Sequence, residues 1–98
     1  MDNKQREISP AADHLHDVLE GMDLTQTKAA EMLGVKPSTL SNILNGRKNM
    51  SLEFCCRLEY VFGLRASFWA SLDTDFRLAQ CQDEFTSRDL SDLQPMVS

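Results

Sequence analysis

The chain has 98 residues, 42% hydrophobic and 26% charged, with a net charge of −5, which suits one small domain with a single core and is too short for two. Valine, isoleucine and tyrosine are sparse, so helices are expected and little or no sheet. The longest apolar runs fall far short of the ~20 residues a membrane span needs, and the polar start MDNKQREISP has no signal-peptide apolar core. A cytoplasmic protein with no membrane partner is expected.

Ser9-Pro10 offers a cap followed by proline at the first helical position, and Leu15, Val18, Leu19 and Met22 then repeat at helical spacing up to Gly21 and beyond. Thr25 can cap a second, short helix running to Leu33, with Leu24 and Ala29 as a hydrophobic staple and Gly34 as the left-handed stop. Ala29 and Ala30 leave room there for another helix to come close. Pro37 opens a third helix and Gly46 closes it, with Leu40, Ile43 and Leu44 as the buried stripe.

The outer face of that third helix is unusual. It carries Ser38, Thr39, Ser41, Asn42 and Asn45, where simple solubility would favour the better helix formers Glu and Lys. Short, uncharged hydrogen-bonding side chains suit a base edge or another closely approached surface.

Ser51 caps a fourth helix, Leu52 to Phe62, apolar on more than one side and ended by Gly63. Ser67 is expected to cap a fifth, with Phe68, Leu72, Phe76 and Ala79 as one stripe and Trp69, Leu78 and Cys81 widening the apolar surface. Three segments result. Residues 1–8 are expected to be flexible, residues 9–83 to form the domain with its last helix at about 67–83, and residues 84–98 to form a tail. That tail either makes one short capped turn around Leu90 and Leu93 or stays disordered.

Cys55, Cys56 and Cys81 are odd in number and two are adjacent, so buried reduced thiols are expected rather than disulfides. His14 and His16 stand two apart and point in different directions on a helix, and no cysteine pair has zinc-finger spacing. No metal, no cofactor and no enzymatic activity are expected.

Charge is unevenly spread. Residues 1–31 hold three basic and seven acidic side chains and residues 66–98 hold two and six, yet no carboxylate lies between Glu31 and Glu53, where Lys36, Arg47 and Lys48 sit. A phosphate backbone feels mainly local charge, because exposed charges farther away than a Debye length of about 8 Å are largely screened. Two short helices joined by a glycine-containing turn, with small alanines between them, make a helix-turn-helix. In that device the first helix crosses the DNA backbone while the second lies in the major groove.

Thr25-Gln26, Ala30, Leu33-Gly34-Val35, Ser38-Thr39-Leu40-Ser41, Ile43-Leu44 and Asn45-Gly46-Arg47 resemble the DNA-binding domain of the XRE family, the lambda-like phage repressor type. ISPAADHL before this motif, MSLEFCCRLEYVFG after it and SFWASLDTDFRLA beyond it are similar to HigA-type antitoxins of type II toxin–antitoxin modules. The resemblance implies an all-α, five-helix lambda-repressor-like fold with a C-terminal dimerisation helix. It also implies a homodimer that represses its own operon and neutralises an mRNA-cleaving toxin of the HigB/RelE type. The alternative is a free-standing phage or chromosomal repressor without a toxin partner.

Carried onto these residues, the resemblance gives Lys36, Ser38, Thr39 and Asn42 as base contacts. Gln26, Ser41, Asn45, Arg47 and Lys48 become phosphate contacts on a palindromic double-stranded operator. Phe68, Trp69, Leu72 and Phe76 are expected at the dimer interface. Two acidic surfaces, Asp13, Asp17, Glu20 and Asp23 on one side and Asp73, Asp75, Asp83, Glu84, Asp89 and Asp92 on the other, suit a basic toxin encoded by the adjacent gene.

Overall fold

The computed structural model describes residues 8–96, which form five helices and no strand. All but Ile8 of the expected flexible N-terminus, and the last two residues of the tail, lie outside the described residues. The helices are α1 (Pro10–Gly21), α2 (Gln26–Leu33), α3 (Pro37–Leu44), α4 (Leu52–Phe62) and α5 (Ala66–Thr86). The expected all-α, five-helix architecture is what the chain adopts.

Local chemistry explains most of the boundaries. The hydroxyls of Ser9, Thr25 and Ser51 accept the amides of Ala12, Lys28 and Phe54 at 3.1, 3.1 and 3.0 Å, so α1, α2 and α4 each begin on a side-chain cap. The fifth helix departs from expectation. It begins at Ala66, with Arg65 at the cap position and no cap from its own segment. Glu59, on α4, supplies the acceptor instead, its Oε1 lying 3.1 Å from the Ala66 amide. Ser67 therefore sits inside the first turn, and the helix continues to Thr86 rather than stopping near residue 83. Beyond it, the Leu93 amide donates to the Leu90 carbonyl at 3.0 Å and closes a turn.

The core is one cluster. Ala11, Leu15 and Leu19 of α1, Ala29, Ala30 and Leu33 of α2, Leu40, Ile43 and Leu44 of α3, and Phe54, Cys55 and Leu58 of α4 meet around it. Helix α5 packs on α1 and α4.

The rotation of α5 corrects two expectations. Its buried residues are Trp69 and Asp73, while Phe68 and Ala79 are exposed and Leu72 and Phe76 half-buried. Trp69 has no exposed area and its ring packs edge-on against His14 and Phe68, with centroids 5.4 and 5.6 Å apart. It is a core residue and offers a second chain no surface. Asp73, expected on an acidic surface, is 3% exposed and receives Arg77 Nε at 2.9 Å. Of the cysteines, Cys55 alone is buried, while Cys56 and Cys81 are exposed free thiols. The reason is rotational phase: Cys56 and Cys81 lie on the outer faces of α4 and α5, and α5 is long enough to run past the core.

Candidate nucleic-acid interface

The turn between α2 and α3 is held by backbone geometry that only glycine takes readily. Gly34 has φ +71°, its amide bonds to Glu31 O at 3.2 Å, and the Val35 amide bonds to Ala30 O at 3.0 Å. This pair of bonds is a Schellman stop, which reverses the chain within a residue or two. Ala29 and Ala30 are fully buried and let the two helices cross closely, and Leu40, Ile43 and Leu44 hold α3 from beneath.

Helix α3 starts without a side-chain cap. Lys36 occupies the cap position, and Pro37 follows with no amide to offer. A cation at a helix N-terminus opposes the macrodipole, so this end is electrostatically unsatisfied in the free protein and suited to an anion.

Most of the expected contact residues gather along α3 and the loop behind it. Ser38 and Lys36 are exposed, and Thr39, Ser41 and Asn42 are half-buried along the outer face. Asn45 Nδ2 donates to Ser41 Oγ at 3.2 Å. The Asn42 carbonyl accepts the amides of both Arg47 and Lys48, at 2.8 and 3.2 Å, and Arg47 Nη1 lies 3.5 Å from Asn42 Oδ1. Gly46, with φ +78°, permits this fold-back. Asn42 thus ties the backbone of both cationic residues to the last turn of α3.

Thr39 and Lys48 share a cleft of about 200 Å³ with Val35, Asn49, Ser51, Glu53 and Arg57. Gln26 stands apart, lining a different cleft with His16, Glu20, Asp23 and Leu44, so two carboxylates border it.

Two residues that sequence reasoning did not place at this site, His16 and Arg57, touch it. His16 Nε2 lies 3.0 Å from the Leu44 carbonyl at the end of α3, and because a carbonyl can only accept, that nitrogen carries the proton. Arg57 Nη1 donates to Leu33 O at 2.9 Å. The spacing of Glu53 and Arg57, four apart on one helix, was the available signal for the second, but nothing local pointed to the carbonyl it reaches.

Among the described residues no group of acidic, histidine or cysteine side chains is placed to hold a metal, and no helix is long and apolar enough to cross a membrane.

A helix-turn-helix family profile matches residues 15–69, more than half of the chain, and the chain belongs to that family. Its fold is that of HigA-type antitoxins. The chain superposes on the Pseudomonas aeruginosa antitoxin HigA, solved with the higBA promoter, at a TM-score of 0.80 with 23% identity, over 94% of this chain and 100% of that one. It matches the antitoxin GraA at a TM-score of 0.80 with 25% identity, over 93% of this chain and 98% of that one. Among sequence relatives, YbaQ of Escherichia coli (strain K12), an uncharacterized HTH-type transcriptional regulator, is 27% identical over 75 residues. That alignment takes in 76% of this chain and 66% of YbaQ, so the chain spans just under two thirds of that relative's length.

Proposed function

We propose that the chain is a dimeric, sequence-specific DNA-binding repressor and the antitoxin of a toxin–antitoxin pair. The observation that carries the DNA reading is the outer face of α3: uncharged hydrogen-bonding side chains backed by Arg47 and Lys48 on the same carbonyl. The fold it shares with a HigA solved on its promoter supports the same reading.

Ser38, Thr39 and Asn42 face the bases, Asn42 by two hydrogen bonds to adenine, and Lys36 reaches a guanine or the neighbouring phosphate. Arg47 and Lys48 clamp the backbone together with Ser41 and Asn45, and Gln26 holds a phosphate at the start of α2. Three cations per subunit make about six phosphate contacts in a dimer, for a log–log salt slope near −5. Non-specific attraction is weak for so acidic a protein, so specificity comes from two half-sites about 34 Å apart.

The second copy docks on α5. Phe68 is 40% exposed, and Leu72 and Phe76 are partly so, whereas Leu78 and Phe85 on the far side are also open. The toxin partner is basic, since it acts on RNA, and it complements acidic faces such as Asp13, Asp17, Glu20 and Asp23. YbaQ, named as a transcriptional regulator, favours a second reading in which the same repressor has no toxin.

The test of DNA binding is fluorescence anisotropy on DNA from upstream of the gene, for the native sequence and Asn42→Ala, over a salt series. Selective weakening of the native site by the substitution is expected. Binding no tighter than to scrambled DNA removes self-repression at that site. Co-purification with the product of the adjacent gene at low salt separates the antitoxin from the free-standing repressor.

A further inference from the structure

We infer that Arg57 is the positioning residue of the recognition helix, a latch from α4 that fixes the turn and so the angle of α3 to DNA; this rests on the DNA reading above. Three observations meet at its guanidinium. Nη1 donates to Leu33 O at 2.9 Å and lies 3.5 Å from Gly34 O, so it covers the last carbonyls of α2 just where the chain turns. Nη2 donates to Glu53 Oε2 at 2.8 Å. A Cβ placed on Gly34 would stand 2.9 Å from Nη1, so the glycine that makes the turn also makes room for the latch.

The chemistry is specific to arginine. A cation over the carboxyl end of a helix is favoured by the macrodipole, and those carbonyls have no partner within their own helix. The planar fork engages a carbonyl and a carboxylate at once, which a single ammonium cannot do with the same geometry. Glu53 precedes Arg57 by four residues, the favoured order for such a pair, and holds the fork ready. The side chain also lines the cleft that holds Thr39 and Lys48, so its displacement is felt where base and backbone contacts are proposed. With its charge already matched by Glu53, Arg57 acts through the turn rather than on phosphate.

The experiment measures operator and scrambled-DNA affinity across a salt series for the native protein, Arg57→Met and Arg57→Lys, with amide hydrogen exchange of the free proteins. For Arg57→Met, operator affinity is expected to fall on the order of tenfold, the scale of one misaligned base contact. Scrambled-DNA affinity and the salt slope should hold, and the Val35 amide should exchange faster. Arg57→Lys should fall between the two. An equal loss on both DNAs with a slope reduced by about 1.8, one phosphate for each subunit of the dimer, makes Arg57 a phosphate contact and overturns the inference. Unchanged specificity overturns it too.

If Arg57→Met does not fold, Glu53→Gln decides: a smaller loss in the same direction supports the latch, and no change rejects it. If the native protein itself ignores the operator, the DNA reading fails. The latch is then judged by exchange at Val35, where an unaltered rate rejects it.

Discussion

The imidazole of His16 in α1 holds the carbonyl of Leu44 at the end of α3, 3.0 Å away and 28 residues along the chain. This is a bond between two helices that share core residues but no turn. It joins the first helix to the far end of the recognition helix, whose near end is fixed by the turn. Replacing His16 with alanine leaves that carbonyl to water and should lower stability by about 1 kcal/mol, read as a shift in the urea midpoint with an unchanged slope. A neutral result means that water replaces the imidazole fully.

Glycines 21 and 34 should respond oppositely to alanine. Gly34 sits at φ +71° with Arg57 Nη1 in the way of a Cβ, so Gly34→Ala should cost about 1–2 kcal/mol. Gly21 ends α1 without a positive φ and has nothing within 4 Å of a Cβ, so Gly21→Ala should gain about 0.4–1 kcal/mol. Thermal denaturation of the two variants side by side tests both signs.

Arg77 keeps a buried carboxylate company. Its own side chain is 43% exposed while that of Asp73 is 4% exposed, and solvent screens part of their attraction. Removing the arginine leaves Asp73 with an uncompensated charge in the core, and Arg77→Ala should cost about 1–3 kcal/mol. A smaller loss in Asp73→Asn/Arg77→Ala than in Arg77→Ala alone is expected, because the double variant carries no buried charge.

The three cysteines should separate by reactivity. Burial, then the negative charges of Asp73 and Cys56, push the Cys55 thiol above its ordinary 9.0. Iodoacetamide on the native protein should label Cys56 and Cys81 and spare Cys55, as peptide mass mapping would reveal. The folded state keeps the Cys55 proton longer than the unfolded chain does. Its contribution to stability is therefore complete below pH 9.0 and is lost as the pH rises further. Cys55→Ala should flatten that alkaline decline.

Why some features could be read from sequence and others not comes down to distance along the chain. Ser9, Thr25 and Ser51 cap helices that start on the next residue, and Gly34 and Gly63 stop helices that end on the one before. These are local bonds, and sequence carries them. The cap of α5 comes from Glu59, seven residues away on another helix, and a nearby serine offered a false local answer. The phase of α5 was equally hidden. The sequence shows an apolar surface that includes Phe68, Trp69 and Leu72 without saying which of them goes inward; beside His14 it is the indole of Trp69, and Asp73, one turn on, is buried with it. In the helix-turn-helix, local signals marked both helices and their turn. The clamps from His16 and Arg57 escaped because their partners are main-chain carbonyls, which look alike in every sequence.

Trp69 is the chain's single tryptophan, and its buried indole N–H finds no acceptor among the described residues. An indole shut away from water and without a hydrogen bond emits towards the blue and shifts red when the chain opens. The native protein therefore carries its own optical probe of unfolding, free of any second fluorophore of the kind. Because that ring has no exposed surface, docking of another macromolecule on the outside should leave the emission maximum where it is. Association and melting can then be followed in the same cuvette, through light scattered and colour emitted.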